Sequence, residues 1–441
     1  MLLLSLLLQA PASAAPNIAY EQFELDNGLT VLLVEDHRLP KVVVDTWYHV
    51  GSYDDPMGAS GFAHLFEHLM FKGTPNVAEG EFDRVMEAAG GSNNASTGDD
   101  ITNYFDWGPS SILDLLLVME ADRMTGLDVT QDKLDREREV VHNERRQNWE
   151  DPPYADIWNE IPRMLFPEDH LYYRNGIGTQ EELDAATLDT VTSFYDTWYV
   201  PNNATLVVAG DFDPAWTAAR IRELFGPLQV GEVPDHRAYP TVTEPVVREK
   251  TITDDVQLPA LVMAWHSPVL YEEGDADLDI YSDLLTGGDD ARITRRLVIE
   301  EQSVQEIHAF QASAKRGSTY MVMAYLSPDA DIDGVKAAII EEMQAVIGDA
   351  PPTDEEVTIA VRGYEMGFLR RLESITSRAE TLQGYLYHTG NPDYLAKDLA
   401  RYNAVTPDGI VSAVETWLDP EKAAVLIVLP EATEDTPEEG Q

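Results

Sequence analysis

The chain has 441 residues, with 79 Asp and Glu against 30 Lys and Arg and a formal charge of −49. That charge repels phosphate and excludes a nucleic-acid binder. The absence of cysteine excludes disulfides and thiolate metal sites, so His and carboxylate are the strong ligands available. A hydrophobic content of 44% at this length supplies more than one packed core, and the acidic, lysine-poor composition reads as a solubility device suited to saline surroundings rather than an attractor of basic peptides.

Residues 1–15 read as a secretory signal peptide. Met1 to Leu8 is apolar but too short to span a bilayer, and Ala12-Ser13-Ala14 offers a small-x-small cleavage site. The basic opening of such leaders is lacking, so the leader is expected to be truncated at its start. Later segments are not long and apolar enough to cross a membrane, and the expectation is an exported protein, periplasmic or secreted.

Phe23 to Leu33 predicts a hairpin around Asn27-Gly28, and Val42 to Tyr48 a strand. Then comes Gly61-Phe62-Ala63-His64-Leu65-Phe66-Glu67-His68-Leu69-Met70-Phe71. On a helix His64 and His68, at i and i+4, share a face and can grip one metal ion, with Glu67 close enough to hold a water beside it. Leu65, Leu69 and Met70 make the other faces apolar, so the helix is expected to be buried, where paired imidazoles need partners.

Glu79 to Ala89 predicts a helix closed by Gly90-Gly91, and Ser92 to Phe105 a strand pair. Thr130 to Trp149 predicts a helix with Thr130 as N-cap. Glu137, Val140, Val141 and Glu144 share one of its faces, and two carboxylates beside two valines are an odd choice for a solvated surface. His142 competes for a metal but points from a different face. Phe194 to Asp211 reads as a helix end, a Pro-Asn turn and a buried strand stopped by Gly210, and Pro214 to Phe225 as a helix.

Prolines and rising polarity place an interdomain linker at 231–245. It separates a first domain at 17–230 from a second at 246–432, with an acidic disordered tail at 433–441. The second half repeats the first: Ala260 to Trp265 echoes Val42 to Trp47, and Asp279 to Asp283 falls roughly where His64 to His68 sits, without the metal set. Strands and helices in runs predict two homologous α+β domains, each an antiparallel-rich sheet packed with helices.

His64-Leu65-Phe66-Glu67-His68, followed by Glu137 and Glu144, resembles the pitrilysin/insulinase family of zinc metallopeptidases, the inverzincins. Within it the chain looks like the two-domain bacterial type, similar to the subunits of the mitochondrial processing peptidase. Tyr173 to Thr179 and Phe194 to Asp211 match as well, and the resemblance covers nearly the whole chain beyond the leader. It implies a clamshell fold and one Zn²⁺ per chain on His64, His68 and Glu144, with Glu137 supporting the site and Glu67 as general base. It further implies that Asn94 and Ala95 form a substrate-binding edge strand. Arg378 and Tyr385, seven apart on a helix, would reach an active site from the far half of the clamshell, Arg378 on a substrate carbonyl and Tyr385 on the tetrahedral intermediate. Tyr387 and His388 are lower-ranked rivals. The activity implied is endopeptidase cleavage of peptides or unfolded segments in a closed chamber, by a homodimer or a heterodimer with a related chain. The alternative is a non-catalytic assembly subunit on the same fold. A structural zinc site is weaker still, since such sites usually have four protein ligands, often Cys.

Overall fold

The computed structural model describes residues 16–239 and 241–431; the leader expected at 1–15 and the acidic tail expected at 433–441 lie outside the described residues. The first half holds strands β1 (Glu21–Glu24), β2 (Thr30–Glu35), β3 (Lys41–Tyr48), β4 (Ser92–Thr97), β5 (Thr102–Pro109) and β6 (Ala204–Gly210). Its helices are α1 (Phe62–Leu69), α2 (Glu81–Ala88), α3 (Leu113–Thr125), α4 (Gln131–Arg145), α5 (Asp156–Leu165), α6 (Gln180–Asp184), α7 (Leu188–Trp198) and α8 (Pro214–Phe225). The second half holds β7 (Glu249–Asp254), β8 (Ala260–Ser267), β9 (Val304–Ala312), β10 (Ser318–Leu326) and β11 (Ala424–Pro430). With them come α9 (Asp275–Thr286), α10 (Ile332–Ile347), α11 (Asp354–Arg371), α12 (Ile375–Thr389), α13 (Leu395–Asn403) and α14 (Pro407–Trp417). The segment expected as a linker carries no helix or strand among its described residues.

The architecture is α+β, with one sheet in each half. The first sheet runs β1-β2-β6-β3-β5-β4 and is antiparallel except for the β2–β6 pair; the second runs β7-β11-β8-β10-β9 and is antiparallel except for β7–β11. The two strands whose sequences echo each other hold the same place, β3 between β6 and β5, and β8 between β11 and β10. Their continuous apolar runs follow from burial on both faces.

Side chains alternate across each sheet. In the first, Val31, Leu33, Val42 and Val44 face the layer of α1, α3, α7 and α8, while Leu32, Val34, Val207 and Ala209 face the other way. That second face is covered by α12, from the opposite half of the chain, through Ala379, Leu382 and Tyr385. The second sheet shows the converse, with Val262, Ala264, Leu426 and Val428 covered by Ile157, Ile161 and Leu165 of α5. Each half therefore lends one helix to its partner's sheet, and neither buries both sheet faces alone. Gln383, 1% exposed, strengthens one crossing by donating to Asp45 O at 3.1 Å and Thr205 O at 3.0 Å.

The N-caps align the two halves. Gly61 and Gly274 open α1 and α9, both in the left-handed region, and Thr130 and Thr353 cap α4 and α11. Counting from these caps puts Asp277, Ile280 and Tyr281 opposite His64, Glu67 and His68, and Ala360 and Gly367 opposite Glu137 and Glu144. The second half keeps the scaffold and lacks all five site groups.

Leu382→Ala should cost about 2–5 kcal/mol, the usual range for a buried leucine. Although the substitution lies in the second half, amide hydrogen exchange in β3 and β6 of the first should register it.

Candidate metal centre

The site is built on α1 and α4. Leu65, Phe66 and Leu69 are fully buried beneath α1, which turns the stripe of His64, Glu67 and His68 away from the core and toward α4 and β4. The helix start is fixed by Asp55, whose carboxylate accepts from the amides of Gly61 at 2.6 Å and Ala63 at 2.9 Å. Burial pushes the Asp55 carboxyl up to about 8, and these amide bonds oppose the shift.

On α4, Thr130 caps as expected, accepting from Lys133 N at 3.3 Å. Leu134 and Val141 anchor the helix in the core with Glu137 beside them, whereas Val140, assigned from sequence to the carboxylate face, is 44% exposed. The α-helix ends at Arg145 and a π-helical turn over Arg146–Glu150 follows, where the sequence predicts regular helix to Trp149. Such turns collect at functional sites; this one starts two residues after Glu144.

The segment Tyr173 to Thr179, for which sequence offered a family match and no role, is the joint between these elements. Gly61 (φ +85°) and Gly178 (φ +76°) pack backbone to backbone, and a Cβ on either would strike the other strand of chain. Thr179 N donates to Ser60 Oγ at 3.1 Å, and Arg145, next to Glu144, donates to Gly178 O at 2.7 Å. One loop thus registers both helices.

The structure brings His64, His68 and Glu144 together, one ligand atom of each lying within 4.8 Å of the others. His64 Nε2 is 3.6 Å from Glu144 Oε1, and His68 Nε2 is 3.2 Å from Glu144 Oε2. His68 Nδ1 turns back toward Glu137 Oε2 at 3.8 Å, and Lys72 Nζ lies 3.1 Å from Glu137 Oε1. Burial first, then the neighbouring His68, hold His64 down to about 4, so its imidazole is neutral with a free lone pair near neutral pH. The hydrogen bond from His68 keeps Glu144 ionised. Burial raises the Glu67 carboxyl, with Thr97 of β4 working against it. Two neutral imidazoles and a carboxylate converging from two helices fit a divalent metal of zinc type, whose catalytic sites take three such protein ligands. His142 is outside the group, with Nε2 2.9 Å from Asp184 Oδ1.

Asn94 and Ala95 lie on β4, the free edge of the first sheet beside α1. Asn94 is exposed, Ala95 faces the core, and the Ala95 N–H donates to Asn94 Oδ1 at 2.9 Å. Arg378 and Tyr385 lie two turns apart on one helix, as their spacing predicts. Both sit on α12, across the sheet from α1, and neither is free. Arg378 pairs with Asp36 at 2.6 Å, while Tyr385 is 3% exposed and donates to Asp398 Oδ2 at 2.8 Å. Of the rivals, Tyr387 donates to Asp100 O at 3.2 Å, and His388 lies beside the Tyr387 and Tyr271 rings.

A His-x-x-Glu-His helix facing a carboxylate helix, in a paired-sheet fold, defines a metallopeptidase-type scaffold. The family profile described as "Insulinase (Peptidase family M16)" matches residues 30–167, and "Peptidase M16 inactive domain" matches 185–364, together more than two thirds of the chain. The chain belongs to the M16, or pitrilysin/insulinase, family of peptidases. It is 28% identical over 374 residues to the zinc protease PqqE of Helicobacter pylori, covering 83% of each chain. An uncharacterized zinc protease of Mycobacterium tuberculosis is 31% identical over 218 residues, 49% of each. Among solved structures, a protease from Helicobacter pylori superposes with a TM-score of 0.84 at 25% identity over 93% of this chain and all of that one. The periplasmic protease PqqL of Escherichia coli superposes with a TM-score of 0.79 at 18% identity, over 95% of this chain and 48% of that one.

The charge on His64 sets a pH dependence for the metal-free protein. Its folded value near 4 lies below the ordinary 6.5, so the unfolded chain takes the proton first and stability falls as pH drops from 6.5 toward 4. Glu144, lowered in the folded state, adds a loss of the same sign at the acid end. Urea denaturation of chelator-treated protein across that range should show the decline, and His64→Asn should flatten part of it.

Proposed function

We propose that this protein is a zinc-dependent endopeptidase acting on peptides or unfolded polypeptide segments. The observation that carries the reading is the convergence of His64, His68 and Glu144, with Glu67 one helix position before His68. The zinc-protease names of the relatives support the choice of metal. His64, His68 and Glu144 would hold one zinc ion. When bound, zinc supplies a Lewis acid that makes water more acidic and the scissile carbonyl more electrophilic.

The chain's own groups do the rest. Glu67 accepts the proton of the attacking water and delivers it to the leaving amine, and its burial-raised carboxyl suits a group that must both take and give a proton. The free edge of β4 offers main-chain partners to an extended substrate, with Asn94 and Ala95 at the docking positions. Glu137 orients the His68 ring.

The working unit in this reading is a dimer, of two copies or of this chain with a related one, closing a chamber over the site. PqqL supports it, since this chain spans about half of that protein's length. The location proposed is the periplasm or beyond, in keeping with the leader at 1–15 and with PqqL. The rival, a non-catalytic assembly subunit, has no use for a complete ligand set with its base.

Glu67→Gln should bind zinc as the parent does yet cleave a mixed peptide library at least about 100-fold more slowly, the scale of general-base loss. Mass spectrometry of cut sites, with and without chelator, measures this together with metal content. Cleavage by Glu67→Gln at the parent rate would remove Glu67 as the base; a parent protein with zinc and no cleavage would favour the assembly subunit.

A further inference from the structure

Lys72 lies one helical turn beyond His68, where the end of α1 turns into Gly73-Thr74. Its backbone is fixed there. Lys72 N donates to Leu69 O at 3.0 Å, Thr74 N to Val77 O at 2.8 Å, and Asp128 N to Gly73 O at 3.1 Å. The ammonium thus leaves a rigid turn and meets Glu137 Oε1 at 3.1 Å, while Glu137 Oε2 faces His68 Nδ1 at 3.8 Å.

The environment of Glu137 makes this contact consequential. Its side chain is 4% exposed, against 28% for Lys72. A carboxylate so buried is costly unless paired, and among the described residues its ion pairs are with Lys72 and His68 alone. The two partners face different oxygens: Lys72 pairs with Oε1, while Oε2 is turned toward His68 Nδ1 at 3.8 Å, longer than a hydrogen bond. A lysine ammonium is a compact point charge that can hold one oxygen and leave the other free, whereas an arginine fork tends to take both. The order is therefore ammonium, carboxylate, imidazole, and then the Glu144 carboxylate on the far side of the ring at 3.2 Å.

We propose that Lys72 is a positioning residue of the metal centre. By holding Glu137 Oε1 it aims Oε2 at His68 Nδ1, which sets the ring so that Nε2 points at Glu144 and at the metal between them. The inference rests on the zinc reading above. Lys72 itself touches neither metal nor substrate. It stands in the turn that closes α1, four residues after His68, and that turn brings it level with the buried carboxylate on α4.

The test is a double-mutant cycle read in zinc affinity, by competition of the purified full-length chain against a chromophoric chelator. The proteins are the parent, Lys72→Met, Glu137→Gln and the double variant. Each single change should weaken zinc binding by about 10- to 100-fold, as removal of groups that orient ligands does. The double variant should be no weaker than the worse single within about threefold, because both changes break one linkage. Lys72→Gln provides a polar, uncharged replacement beside the apolar one, and metal-free melting curves identify any variant that loses affinity by unfolding. Binding by Lys72→Met or Lys72→Gln within about twofold of the parent while Glu137→Gln weakens it, or losses that multiply in the double variant, would overturn the role of Lys72. A parent chain whose zinc affinity is untouched by His68→Ala would instead overturn the metal assignment itself, which is a separate result.

Discussion

Everything chemical in this molecule depends on holding α1 against α4. The two helices are separated by some sixty residues of chain, and neither carries a complete site. Their register is set by polar contacts on backbone: Asp55 on the amides that open α1, Thr179 on Ser60, and Arg145 on the Gly178 carbonyl. The back-to-back glycines, Gly61 and Gly178, allow an approach that a side chain would forbid. Such bonds suit the task because they fix direction as well as distance, whereas apolar contacts beneath Leu65, Phe66 and Leu69 tolerate sliding.

The same scaffold appears twice, with and without the ligands. α9 packs against β9 and α11 as α1 packs against β4 and α4, yet Ile280, Tyr281, Ala360 and Gly367 stand where metal chemistry would need Glu or His. The family profile described as an inactive domain spans residues 185–364, which include Ile280, Tyr281 and Ala360, and agrees with that substitution pattern. What the second half supplies is burial. α12 closes the outer face of the first sheet, and α5 returns the exchange. A helix exchanged between halves makes each sheet depend on residues far away in sequence, coupling the rigidity of the half that gathers His64, His68 and Glu144 to the half that lacks such a group.

The local elements were legible because their signals are local. Asn27-Gly28 marked the first turn, Thr130 the cap of α4, and Pro214 to Phe225 a helix with the bounds observed. Spacing alone put His64 and His68 on one face, since four residues return the helix nearly to its starting angle. Arg378 and Tyr385 show the limit of spacing as a signal. Two residues seven apart share a face whatever that face meets, and spacing carries no information about which side of the sheet the helix packs on. The π turn after Glu144 was equally hidden, because the sequence there still reads as helix.

The amino-acid sequence by itself determined which groups exist for chemistry: two imidazoles, a set of carboxylates and no thiols, in a repeat that keeps its ligands in one half. It determined the faces they occupy on their own helices, because helical geometry is a property of neighbouring residues. Only the tertiary structure decided that Glu144 rather than His142 meets the imidazoles, that Lys72 meets Glu137, and that α12 belongs to the other half's sheet. Those outcomes turn on the packing of helices distant in sequence, where a rotation of a fraction of a turn exchanges one side chain for the next.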